Sequence, residues 1–94
     1  MGRVGNVGEA MIGDRTQGTR VEYTRGPIPA LGSYWQRDGI WYGVTPNGHL
    51  CSVANHEIVA HDDGTITVSP SIRVSVGPMV VWHGFLERGV WREV

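Results

Sequence analysis

The stretch Thr65–Val94, TITVSPSIRVSVGPMVVWHGFLERGVWREV, decides the fold of this chain. In Thr65-Ile66-Thr67-Val68 the apolar residues alternate with threonine, which puts Ile66 and Val68 on one strand face and Thr65 and Thr67 on the other. Ser69-Pro70-Ser71 ends that strand or bends its edge, because proline has no N–H to give to a ladder. Ile72, Val74 and Val76 then share a face opposite Arg73 and Ser75, and Gly77-Pro78 reverses the chain. Val80 to Leu86 and Val90 to Arg92 make a final hairpin around Glu87-Arg88-Gly89, where Gly89 can take a positive φ without a side chain in the way.

Working upstream, Asp62-Asp63-Gly64 reads as the turn before Thr65, and Glu57 to His61 as the strand entering it. Ala54 to Ala60 also admits a brief helical turn capped by Asn55, but it is too short to stand alone as a helix. Gly32 to Val53 has the spacing of a β-meander, with Arg37-Asp38-Gly39 and Thr45-Pro46-Asn47-Gly48 as its reversals. Period two there puts Trp41 and Gly43 on one face and Tyr42 on the other. Arg20 to Thr24 forms a short strand, and Gly26-Pro27-Ile28-Pro29 interrupts pairing. Residues 1–19 read as a Gly-rich arm, flexible or docked on the domain or a partner through Val4, Val7, Met11 and Ile12. Its Gly2-x-x-Gly5-x-x-Gly8 spacing has neither a strand before it nor a Gly-Lys-Ser/Thr after it, so it does not read as a phosphate loop. The expected fold is all-β: a small, mostly antiparallel sheet over residues 20–94, as a partly open barrel or a compact two-layer sandwich in one domain.

Composition agrees with this reading. Ninety-four residues support one core, and four Trp, three Tyr and one Phe must carry much of its packing. Fourteen Gly and five Pro, scattered along the chain, punctuate short elements. Eight arginines without a lysine and nine acidic residues give a net charge of -1, which removes the global electrostatic argument for nucleic acid. Cys51 is the single cysteine and cannot form an intrachain disulfide, so a reducing, cytoplasmic setting is expected. No apolar run is long enough to cross a membrane as a helix.

Two segments carry a family resemblance: Asp63-Gly64-Thr65-Ile66-Thr67-Val68-Ser69-Pro70-Ser71-Ile72, and Trp82-His83-Gly84-Phe85-Leu86-Glu87-Arg88-Gly89-Val90-Trp91-Arg92. They resemble the uncharacterised DUF6527 family, especially its small bacteriophage and prophage members, over roughly Trp41 to Val94. Ser69, Pro70, Ser71, His83 and Gly89 match the family pattern. The resemblance also implies a Cys-Pro-Cys-Gly-Cys-like segment suited to a metal, but the corresponding region from Gly43 to Val53 holds only Cys51. Some such proteins bear an ammonia monooxygenase label. This sequence carries no evident copper or iron ligand array to support that reading.

Candidate chemistry gathers on a few residues. Thiolate and imidazole are zinc ligands, so His49, Cys51 and His83 form the candidate metal set, with His56 and His61 as further donors. Their spacing matches no compact zinc module, and the expectation is no required cofactor, with zinc as the alternative. For nucleophilic hydrolysis, Ser71, Ser69 or Cys51 would attack, His83 would take the proton, and Asp62, Asp63 or Glu87 would orient the imidazole. No Gly-x-Ser-x-Gly elbow is present, and serines beside proline commonly satisfy local backbone groups. A contact surface needs only a patch, and its candidates are Trp35, Trp41, Arg73, His83, Arg88, Trp91 and Arg92; burial is the competing role for the tryptophans. Base stacking with arginine–phosphate contacts is less favoured, because no continuous basic run exists.

These readings favour a phage- or prophage-like accessory protein in the host cytoplasm. It would bind another protein or a second copy of itself, without required catalysis. A metal-dependent hydrolase-like enzyme and a structural phage component are the alternatives.

Overall fold

The computed structural model describes residues 15–94. Most of the expected arm, with its glycine spacing and its Val4, Val7, Met11 and Ile12, lies outside the described residues. The described chain contains nine strands and no helix: β1 Arg15–Gln17, β2 Thr19–Arg20, β3 Ser33–Arg37, β4 Ile40–Val44, β5 Leu50–Ser52, β6 Glu57–Ala60, β7 Ile66–Val76, β8 Met79–Glu87 and β9 Val90–Glu93. They form a five-stranded sheet in the order β1-β9-β8-β7-β6 and a four-stranded sheet in the order β2-β3-β4-β5. The two sheets do not close into a barrel, so the sandwich alternative describes the molecule. Every neighbouring pair is antiparallel except β2 with β3.

The last residues of the expected arm are part of this architecture, because Arg15–Gln17 pair with β9. At Gly18 the chain leaves one sheet and enters the other. The Gly18 N–H donates to the Gly89 carbonyl at 2.8 Å, and a Cβ at Gly18 would stand 2.5 Å from that same oxygen. A side chain there would force two backbones apart. The expected strand over Arg20–Thr24 is shorter in the structure and begins earlier, at Thr19–Arg20. Beyond it the chain turns over the outside of the four-stranded sheet, which gives β2 and β3 the long connection that parallel pairing requires.

Of the three two-residue hairpins, those at Asp38-Gly39 and Arg88-Gly89 carry positive φ at both central residues. Asp38 and Gly39 have φ of 53° and 82°, and Arg88 and Gly89 have φ of 48° and 78°. Positive φ at both central positions matches the twist of the flanking strands. The segment Ala54–Ala60, open between helix and strand in the sequence, supplies strand β6. Ser69-Pro70-Ser71 bends β7 without ending it. Val68 pairs with Leu86 and Ile72 with Gly84, so three residues of β7 stand against Phe85 alone. This bulge turns the middle of an 11-residue strand.

The inner faces meet in one core of Tyr34, Trp41 and Val53 from one side and Ile66, Val68, Ile72, Trp82, Leu86 and Trp91 from the other. Trp91 is its centre. Its indole meets Trp82 edge-on at 5.6 Å, and Nε1–H donates to the Gly32 carbonyl of the opposite layer at 2.8 Å. Two glycines make room for this pair, Gly43 for Trp91 and Gly84 for Trp82. A Cβ at Gly43 would lie 2.8 Å from the Trp91 ring, and one at Gly84 would lie 2.5 Å from Trp82 and 2.3 Å from the Arg92 carbonyl. Trp41 and Gly43 therefore share the inner face, as period two requires.

A second aromatic cluster covers the outer face of the four-stranded sheet. Trp35 stacks on Tyr42 at 6.0 Å and meets Tyr23 edge-on at 5.0 Å. The loop carrying Tyr23 is tied down by the Tyr23 hydroxyl donating to the Gly26 carbonyl and by Arg37 donating to the Thr24 carbonyl at 2.7 Å.

Candidate functional site

The bulge in β7 brings together the serine and histidine singled out by the sequence. Ser71 and His83 lie on the outer face of the five-stranded sheet, since their neighbours Ile72 and Trp82 point into the core. His83 Nε2 is 3.0 Å from Ser71 Oγ. When His83 carries its proton on Nδ1, Nε2 accepts from the hydroxyl, which is the contact between a nucleophile and a base. Arg73 stands directly across from His83 in the ladder. His56 joins from the β5–β6 connection. Its Nε2–H donates to the Ser71 carbonyl at 3.0 Å, which leaves Nδ1 buried without a partner among the described residues. No Asp or Glu bonds to the His83 imidazole among the described residues. Asp62 and Asp63 belong to the β6–β7 turn, and Glu87 stands 3.6 Å from Arg92. Among the described residues the pair has no carboxylate to orient its base.

Cys51 does not join this pair. It stands opposite Gly43 on the inner side of the four-stranded sheet and packs against the core, while His83 faces out from the other sheet. The convergence of Cys51 with His83 that the zinc alternative requires is therefore not formed, because the five-stranded sheet separates them. Burial pushes the Cys51 thiol up to about 11, against the lowering effect of a hydrogen bond to the Gly43 backbone, so it is a neutral thiol near pH 7. His49 closes the Thr45–His49 turn through a backbone bond to Thr45 Oγ1. Among the described residues no three His, Cys, Asp or Glu side chains come together as a metal cluster.

The aromatic members of the expected contact set are inside. Trp35, Trp41 and Trp91 are 2%, 7% and 1% exposed, which corrects their placement on a contact surface. The rings cover apolar area that no other side chain in so small a chain can supply. The charged members stay at the surface. Arg73 and Arg88 are exposed, and Arg92 lies over the Phe85 ring at 4.5 Å.

Two features that the sequence did not single out lie at opposite ends of β7. At its start, two depressions of about 430 and 360 Å³ share Asp63. The larger is a seam between the sheets, with Arg20, Glu22 and Tyr34 on one side and Asp63-Gly64-Thr65 on the other. Arg20 Nη1 donates across it to the Gly64 carbonyl at 3.3 Å, and the same guanidinium lies over Trp41 at 5.0 Å. Asp63 Oδ1 accepts from both the N–H and the hydroxyl of Thr65, which holds its carboxyl below the ordinary range; His61 and Arg88 add a smaller pull. Burial raises the Tyr34 phenol, and nearby Asp63 raises it further. The smaller depression holds His61, whose Nε2 meets Thr67 Oγ1 at 2.7 Å, beside Asp62 and Arg88. The turn itself was legible, but the contact between Arg20 and Gly64 spans 44 positions and leaves no local signal.

At the other end of β7, Val76, Met79 and Val80 are 59%, 66% and 50% exposed around the Gly77-Pro78 turn. Beside this tip, the Asn47 side chain donates to the Val81 carbonyl at 3.0 Å and ties the Thr45–His49 turn to β8. Leu31, also exposed, packs near Gly48 of the same turn. No protein-family model, curated protein or solved structure matches the chain.

Proposed function

We propose that this chain is a small accessory protein that acts by binding another protein, without turnover, through the apolar end of the sandwich. The observation that carries the reading is the hairpin tip. Val74 to Trp82 is an uncharged run, and Val76, Met79 and Val80 face solvent where strands β7 and β8 reverse. A grouped apolar patch on a small domain marks an interaction surface more often than scattered single residues do. Asn47 already occupies the Val81 carbonyl, so contact at this end runs through side chains more than through strand addition. The lack of cations in the run favours a protein partner over nucleic acid. The resemblance of the Asp63 to Arg92 segments to the DUF6527 family supports a phage or prophage setting and, with it, the host cytoplasm.

The test is co-purification and native mass spectrometry of the intact chain against a variant carrying Val76→Ser, Met79→Ser and Val80→Ser. A defined complex that the wild type forms and the variant loses supports the proposal. A complex unaffected by all three substitutions overturns the assignment to this end; a dimer lost in the variant identifies the partner as a second copy.

The 3.0 Å contact between Ser71 and His83 supports a second reading, a hydrolase-like enzyme with or without zinc. It requires ester turnover that disappears in both Ser71→Ala and His83→Ala. Turnover that survives either change removes it.

A further inference from the structure

We propose that the seam beside β2 is a docking groove for an extended protein segment carrying an arginine or lysine side chain, which adds to the open edge of the four-stranded sheet. Only alternate residues of an edge strand pair with their neighbour. The Thr19 N–H donates to the Gly32 carbonyl at 3.1 Å and the Val21 N–H to the Tyr34 carbonyl at 2.9 Å. The N–H and C=O of Arg20 therefore face the open side, without a backbone partner among the described residues. A free edge of this kind is a template for another strand.

The space next to that edge is already shaped. The seam of about 430 Å³ runs between the β2 backbone and the Asp63-Gly64-Thr65 turn, with Tyr34 beneath it. The Arg20 side chain lies over Trp41 and reaches across the seam to the Gly64 carbonyl, which ties the two lips together. Its guanidinium stays exposed and braces the far lip, one cation against the two carboxylates of the lining. Glu22 and Asp63 face the groove, and neither makes an ion pair within 4.0 Å among the described residues. Arg88 and His61 flank Asp63 from the neighbouring depression, and Asp62 adds another carboxylate there. The groove is thus more acidic than basic, which favours a cationic side chain and disfavours a phosphate backbone. Main-chain pairing supplies attraction to any extended segment, and the carboxylates choose among them.

The test uses the full chain labelled with nitrogen-15 and two blocked pentapeptides, Thr-Val-Arg-Val-Thr and its counterpart with glutamate in the central position. The arginine peptide should shift the amides of Arg20, Glu22 and Gly64 in a saturable way. The glutamate peptide should bind roughly tenfold more weakly, as discrimination by charge requires. Asp63→Asn and Glu22→Gln should each weaken the arginine peptide about threefold, with the Trp91 indole N–H signal unmoved as the sign of an intact fold. An unshifted Arg20 amide at millimolar peptide overturns the proposal. So do equal affinities for the two peptides, or shifts centred on Val76 to Val80. The variant with serine at Val76, Met79 and Val80 should keep full peptide binding, so failure of the apolar end and failure of the groove are separate results.

Discussion

The two sides of the four-stranded sheet use the same residue types for different purposes. On the inner side, Tyr34 and Trp41 meet residues of another sheet, and the contact joins both halves of the fold. On the outer side, Trp35 stacks on Tyr42 and meets Tyr23 from the sheet's own connecting loop. Adjacent residues Tyr34 and Trp35 are each 2% exposed, yet they belong to different clusters. Burial by itself does not say what a side chain supports. Loss of an inner residue should weaken the whole fold, whereas loss of an outer residue should free a loop.

The largest test of this difference is Gly84→Ala. The new methyl carbon would stand 2.3 Å from the Arg92 carbonyl and 2.5 Å from Trp82, and the first of these is backbone in a paired strand. Neither neighbour can swing aside as the end of a flexible chain would. Overpacking of this kind should cost about 3 kcal/mol or more, enough to leave much of a small domain unfolded. Circular dichroism melting against Gly39→Ala is the measurement. Gly39 has open space but a φ of 82°, so alanine there should cost only about 1 kcal/mol. Equal melting points would show that the inner faces are not tightly apposed at Gly84.

Trp91→Phe is the next largest. It keeps an aromatic ring but removes the Nε1–H donor to the Gly32 carbonyl and opens space beside Gly43 and Trp82. Lost packing and a lost buried hydrogen bond together should cost about 2–3 kcal/mol. Denaturant unfolding should show a lower midpoint with an unchanged slope, because the whole sandwich still unfolds as one unit.

The inner side was legible in the sequence, whereas the outer cluster was not. Ile66, Val68 and Trp41 with Gly43 follow period two, and Asp38, Gly39 and Gly89 are residues suited to the positive φ of their turns. Those signals are local, so a sequence displays them. Trp35 reads as a contact residue in the sequence because nothing adjacent announces its cover. Its cover is a loop that returns over the sheet and is fixed by the Arg37 bond to Thr24, 13 positions away. The candidate chemistry divides in the same way. Ser71 and His83 flank a visible bend and do meet, while the His56 bond to the Ser71 carbonyl depends on how β6 lies beside β7. Cys51 looked available for a ligand set, but strand parity turned it toward the core.

Tyr23→Ala sharpens the comparison from the outer side. It removes the ring against Trp35 and the hydroxyl bond that holds the loop at Gly26. The expected cost is about 1–2 kcal/mol, with faster hydrogen exchange confined to the loop and to β3. Tryptophan emission should shift to the red as Trp35 meets water. Loss of protection throughout β7, β8 and β9 would instead show that the outer cluster supports the entire sandwich.

The smallest effect is the one that Tyr23→Ala should have on Cys51. This thiol lies on the inner side of the same sheet, two layers of backbone and side chain from the substitution, and burial pushes it up to about 11. Its alkylation by iodoacetamide at pH 8 should be on the order of 100-fold slower than that of an unfolded control, because only the thiolate reacts. The rate should climb about tenfold per pH unit up to pH 10. A raised folded-state value also means that the unfolded chain loses its proton first, so the thiol's contribution to stability is complete below about pH 9 and fades as pH rises toward 11. If the two sides of the sheet are independent, Tyr23→Ala leaves the pH 8 rate within about twofold of wild type, since the thiol reacts from the folded state and the inner packing that buries it is unchanged. A tenfold faster reaction would mean that the loop restrains β4 and β5 as well, and the sheet would then have one core on two faces instead of two separate clusters.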